Sequence, residues 1–119
     1  MKITAVDIWT VVVPTIPGRV HSREWVPETG WDQVPKHILR LRTDGEWIGL
    51  GETGRGAPIE QVRQGAALLV GKDADKVPLQ DIFSRGAAGE TAGSGPAYDA
   101  FEMAVCDLVG KAQIGRAHV

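Results

Sequence analysis

The apolar residues of this chain change period once, close to Pro58, and that change does most to limit what it can fold into. Strand-like patterns come before it and helix-like patterns after it. A run of strands followed by a run of helices points to an α+β domain, since an α/β domain would interleave the two. Met1 to Val13 is rich in β-branched residues (Ile3, Thr4, Val6, Ile8, Thr10, Val11, Val12, Val13) and is stopped by Pro14. Its alternation falters around Trp9, which implies a bulge there or burial on both faces. Lys36 to Thr43 alternates more cleanly, with His37, Leu39 and Leu41 on one face and Ile38, Arg40 and Arg42 on the other. Asp44-Gly45 follows, the preferred pair for a two-residue type I′ turn, and Trp47 to Thr53 returns as the partner strand. The expected sheet is a three-stranded antiparallel meander.

Past the sheet, Pro58 suits the first turn of a helix, where its missing N–H costs nothing. Ile59, Val62, Ala66, Leu69 and Val70 recur at helical spacing, and Gly71 is placed to end that helix. A short second helix is expected over Val77 to Ser84, and the Gly/Ala/Ser-rich stretch from Arg85 to Gly95 reads as a connection. Ser94, as an N-cap, introduces the strongest helix, from about Pro96 to Ala112. Ala97, Ala100, Phe101, Ala104, Val105 and Leu108 form one stripe there, while Met103, Cys106 and Val109 make the opposite side apolar too. A helix apolar nearly all round wants a neighbour on both flanks, one of which this sequence does not supply. The whole is an α+β meander followed by a small helical bundle.

Composition removes several classes of function. Thirteen Lys+Arg against fifteen Asp+Glu give a net charge of −2 and a pI near 5.9, without the basic excess that drives nonspecific nucleic-acid binding. Hydrophobic residues at 43% and charged residues at 24% are ordinary globular usage, which argues against wholesale disorder. One cysteine, Cys106, leaves no intramolecular disulfide and no cysteine-built zinc site. No apolar run has the length of a membrane span, and Asp7 interrupts the N-terminal apolar stretch, so neither an anchor nor a signal peptide is expected. A soluble cytoplasmic setting is the default.

Among candidate sites, Gly49-x-Gly51-x-x-Gly54 matches the dinucleotide-binding glycine pattern. The helix that should open on its last glycine is delayed by Arg55-Gly56-Ala57-Pro58, and the strand before it belongs to a hairpin. A glycine-rich turn needing positive φ is the better reading. His21, His37 and His118 have no metal-binding spacing, and His37 keeps step with Leu39 and Leu41 as a core or sheet-face histidine. The segment from about Pro17 to Pro35 is long for a structureless loop in a small domain. It carries Arg19, His21, Arg23, Trp25 and Trp31, cationic donors among aromatic surface. That mixture suits an anionic or polyhydroxylated small ligand, or else a solvated loop pinned by its tryptophans. Glu52 and Arg55 flank the glycine-rich turn as ligand contacts or as a local ion pair. Glu102 and Asp107, in the most apolar helix, are helix-anchoring groups or interface contacts, and Asp107 is four residues from Lys111, the spacing of an intrahelical pair.

Taken together these pieces resemble the N-terminal capping domain of the enolase superfamily, in its mandelate racemase/muconate lactonizing branch. The resemblance rests on the opening Met1-Lys2-Ile3-Thr4-Ala5-Val6 and on Leu39-Arg40-Leu41-Arg42-Thr43-Asp44-Gly45 running into Gly49-Leu50-Gly51-Glu52-Thr53. Its strongest part is the helix Ala97-x-x-Ala100-Phe101-Glu102-x-Ala104-x-x-Asp107-Leu108-x-Gly110-Lys111, and it covers about residues 1–113. The resemblance implies a domain sitting over the mouth of a (β/α)-barrel, with two of its loops closing the active site. Those loops would be the one holding Arg19, His21, Arg23 and Trp25 and the turn around Glu52 to Arg55. It implies proton abstraction α to a carboxylate, with magnesium stabilising the enediolate. It also implies a small carboxylate or sugar-acid substrate and a homo-oligomeric parent.

A barrel needs about 250 residues, and only eight follow Lys111. The catalytic base and the metal carboxylates of the family are therefore expected in a barrel absent from this chain, which would be inactive alone, with no catalytic residue, metal or cofactor of its own. Residues 114–119 can be encoded by ATCGGAAGAGCACACGTC, which looks like a common sequencing-adapter sequence, so this segment is expected to be a non-native tail. The parent is read as a magnesium-dependent acid-sugar dehydratase, or a related racemase or cycloisomerase. The alternative is a complete small interaction module that docks a protein partner through the last helix. No nucleic-acid or membrane partner is expected.

Overall fold

A computed structural model describes residues 1–16, 33–77, 79 and 96–117. Three strands, β1 (Ile3–Pro14), β2 (Gln33–Thr43) and β3 (Ile48–Glu52), form one antiparallel sheet in the order β1-β2-β3. Two helices follow, α1 (Ile59–Leu69) and α2 (Pro96–Ala117). The α+β meander expected from the period change is the observed architecture. The expected helix over 77–84, the connection over 85–95 and the Ser94 cap lie, apart from Val77 and Leu79, outside the described residues.

Register explains which side chains share a face. Leu39 pairs with Ile8 and Gly51, and Leu41 with Val6 and Gly49, so all six lie on the inner face. Leu39, Leu41 and Ile3 are fully buried there against Val62 and Leu69 of α1 and Phe101, Ala104 and Leu108 of α2. The irregularity expected near Trp9 is found elsewhere. Pairing is continuous from Ala5 to Pro14, and the register shift falls between Ile3 and Ala5. That shift lets Ile3 and Val6, three apart, both face the core, while Trp9 stands on the outer face at 45% exposure.

On that outer face Arg40 and Arg42 both bind Asp7, Nε to Oδ2 at 2.9 Å in each case, and the Arg40 guanidinium lies 5.0 Å from the Trp9 ring centroid. β2 begins three residues earlier than its sequence suggests and takes in Pro35. The His37 N–H points to the β3 side of the sheet, so the Pro35 nitrogen, two residues away, faces that side as well, beyond the end of β3.

The turn between β2 and β3 is not the expected type I′. That turn requires positive φ at both central residues, and Asp44 and Gly45 have none; positive φ occurs only at Gly56 and Gly71 among the described residues. Side chains build a longer turn in its place. Thr43 Oγ1 accepts from the Gly45 N–H and donates to the Trp47 carbonyl, while Asp44 takes the Lys2 N–H at 2.9 Å. Pro58 stands one position before α1 with extended backbone, and Gly71, at φ 89°, ends that helix as expected.

The glycines of β3 meet a different demand from the positive φ anticipated. A Cβ at Gly49 would run into the Ala104 carbonyl and come within 2.8 Å of Leu108 Cβ; one at Gly51 would run into the Ala100 carbonyl. They let α2 lie directly on the strand, with the small residues Ala100 and Ala104 on the facing side. α2 continues to Ala117, five residues past its expected end.

Candidate functional site

β1 ends, β2 begins and β3 ends at the same end of the sheet. β1 and β2 run on past the end of β3 to Pro14 and Gln33, so the strand ends bracketing the loop with the expected ligand residues lie several residues beyond the turn that leaves β3. Arg19, His21, Arg23 and Trp25 themselves lie outside the described residues. Glu52, the last residue of β3, and Arg55, in the turn that follows, are described, and both are exposed.

That turn begins where the β2–β3 ladder stops. Thr53 is 1% exposed and replaces ordinary pairing with a side-chain version of it. Its Oγ1 accepts the His37 N–H at 3.0 Å, and its own N–H donates to the His37 carbonyl at 2.9 Å. The Thr53 carbonyl accepts from Lys36 Nζ at 3.2 Å, and the same ammonium lies 3.3 Å from Glu52 Oε1. Glu52 is thus paired across the strands with Lys36. Gly56, at φ 78°, reverses the chain, and the half-buried His37 ring reaches the Ala57 carbonyl just before α1. Lys36, Thr53 and Thr10, which build this corner, carry no signal in the sequence, because their partners sit on other strands.

On the opposite edge, α2 fastens the free side of β3. Asp107 Oδ2 accepts the Leu50 N–H at 2.9 Å, and Lys111 Nζ donates to the Ile48 carbonyl at 3.2 Å and to Asp107 at 2.8 Å. The Lys111 ammonium, and then the Leu50 N–H, hold the Asp107 carboxyl below its ordinary range. Asp107 is therefore a helix-anchoring group, the first of the two roles its position suggested, and the intrahelical pair with Lys111 is present. The outward flank of α2 leaves Met103 and Cys106 exposed, and Ile114, in the segment expected to be a non-native tail, is 60% exposed. Beside this flank Trp47, Cys106, Gly110 and Ile114 line a shallow hollow of about 460 Å³.

Among the described residues no three His, Cys, Asp or Glu side chains gather as a metal-binding set. No described helix is long and apolar enough to cross a membrane.

Solved structures similar to this chain include an enolase from Streptomyces coelicolor (29% identity, TM-score 0.71), over 95% of this chain and 29% of that one. A mandelate racemase/muconate lactonizing protein from Herpetosiphon aurantiacus matches at 15% identity and TM-score 0.69, over 94% of this chain and 32% of that one. A dipeptide epimerase from Enterococcus faecalis, complexed with Mg and the dipeptide L-Leu-L-Tyr, matches at 18% identity and TM-score 0.72, over 95% and 32%. No protein-family model and no curated protein matches the chain. The chain has the α+β fold of the N-terminal domain of these enolase-superfamily structures. It spans about a third of the length of the solved chains it matches.

Proposed function

We propose that this chain is the substrate-capping part of a magnesium-dependent enzyme that abstracts a proton α to a carboxylate, an acid-sugar dehydratase or a related racemase or cycloisomerase. One observation carries the reading: nearly the whole chain superposes on only about 30% of enzymes that are two-thirds something else. The proton transfer, its base and the metal carboxylates then belong to a barrel outside this sequence. Magnesium would supply stabilisation of the enediolate there, and no described cluster in this chain fits the ion. The chain's own share is to bind and orient. Glu52 would meet the substrate from the end of β3, Arg55 from the turn that follows, and Arg19, His21, Arg23 and Trp25 from the loop rooted at the same sheet end. An arginine suits a carboxylate because its planar donors match the two oxygens.

The exposed apolar flank of α2 supports this account, because a capping domain needs a surface for its barrel. The same flank is what a free-standing interaction module would present, so activity must separate the two. The test is α-proton exchange into D₂O, followed by NMR with magnesium and a panel of sugar acids. The 119-residue chain should show none, and a protein joining it to its barrel should exchange. In the joined protein Arg55→Ala should raise KM by about tenfold, the scale of one lost charged contact. A joined protein that exchanges no substrate, or an Arg55→Ala variant with unchanged kinetics, would overturn the corresponding part.

A further inference from the structure

The 53–57 turn, which carries Arg55, is buried at its two ends, Thr53 and Ala57, and open between them. A side chain at Gly56 would meet nothing within 4 Å, and Arg55 is exposed. Polar bonds from both ends converge on one residue of β2. The Ala57 carbonyl can only accept, so His37 Nε2 carries a proton and donates to it at 3.0 Å. In the neutral ring Nδ1 is then the acceptor, and Thr10 Oγ1 lies 2.9 Å from it. The ring is thereby held from β1 while it holds the far end of the turn. The backbone of the same residue holds the near end, through its two bonds with Thr53.

We propose that His37 is the positioning residue of the 53–57 turn, fixing through Thr53 and Ala57 where Arg55 meets a small carboxylate substrate. The inference rests on the reading of that turn as substrate-shaping. A residue at this register has the required reach because β2 runs past the end of β3, so its side chain lies beside the departing chain. Few side chains offer a donor at one end and an acceptor at the other, and imidazole does so with a single rigid ring.

Backbone ¹⁵N relaxation on the 119-residue chain tests it. In the unaltered chain residues 54–57 should have order parameters near the rigid value of about 0.85, and His37→Phe, which keeps a ring but neither bond, should lower them below about 0.6. Values in β2, β3 and α1 should stay unchanged. His37→Gln returns a donor near the Nε2 position and should recover most of the loss. Thr10→Val, at an exposed site that will not threaten folding, should give a smaller loss confined to the same residues. A turn that stays rigid in both His37→Phe and Thr10→Val overturns the proposal. So does loosening of the whole sheet that His37→Gln fails to reverse, because the role is then structural. Should the turn loosen as expected while Arg55→Ala leaves the joined enzyme's kinetics unchanged, the positioning role stands and the substrate-shaping reading alone falls.

Discussion

Asp107 and Lys111, one turn apart on α2, are joined at 2.8 Å and together occupy the free edge of β3, one taking the Leu50 N–H and the other reaching the Ile48 carbonyl. An exposed strand edge offers unpaired groups to any passing strand. Here a charged pair on the neighbouring helix answers them, and the same contact fixes the height at which α2 lies on the sheet.

Removing the pair should loosen that contact without unfolding the domain. Asp107→Ala should cost about 1 kcal/mol, the scale of a partly exposed charge-assisted hydrogen bond. Lys111→Met should cost less, and the double variant less than the sum, because the residues share one network. Urea denaturation of the three variants checks this; additive losses would show that the two act separately.

The β3 glycines give a sharper contrast. Gly49→Ala and Gly51→Ala each push a methyl into the α2 backbone and should destabilise by about 3 kcal/mol, the upper range for overpacking. Gly110→Ala sits on the same helix with open space around it and should stabilise by about 0.5–1 kcal/mol through helix propensity. Thermal melts read all three, and tolerance of alanine at Gly51 would contradict the packing described.

Acid should weaken the domain through three carboxylates, Asp73, Asp7 and Asp107, the first held below its ordinary value by the Asp75 N–H and then by the N-terminal ammonium. Asp7, bonded first to Arg40 and then to Arg42, and Asp107, bonded to Lys111, are both held below their ordinary value of 3.8. A carboxylate whose folded value is lowered adds stability above its unfolded value, and that stability is lost as pH falls through the folded one. The urea midpoint should therefore hold steady down to about pH 4 and then fall. Asp7→Asn should flatten the fall; a midpoint that rises on acidification would reverse the sign.

Cys106 offers a probe of the outward flank of α2. It is exposed, so a thiol reagent should label it readily in the isolated chain. In the protein joined to its barrel the label should be blocked. Equal labelling of both would place the barrel elsewhere.

Much of this was legible in the residues. The alternation of His37, Leu39 and Leu41 identified the inner face, and the stripe of Ala97, Ala100, Phe101, Ala104, Val105 and Leu108 identified the flank of α2 that packs on the sheet. The glycines of β3 were visible but misassigned. Sequence shows that a glycine is present, yet whether it serves positive φ or close approach depends on a helix fifty residues away. The Asp44-Gly45 turn failed for a related reason: Thr43 and Lys2 supply bonds that outweigh the local preference of the pair. The corner built by His37, Thr10 and Thr53 was invisible, since each partner lies on a different strand. The loop residues Arg19, His21, Arg23 and Trp25 remain a reading of residue type and of family resemblance.

The most direct test of the account is a long contiguous read of the gene through the codon for Lys111 and beyond. The account predicts that the frame continues for about 250 residues of alternating strand and helix, with a Lys or His base and metal carboxylates at strand ends. Native codons running to a true stop after Val119 would contradict it and leave the interaction module as the better description.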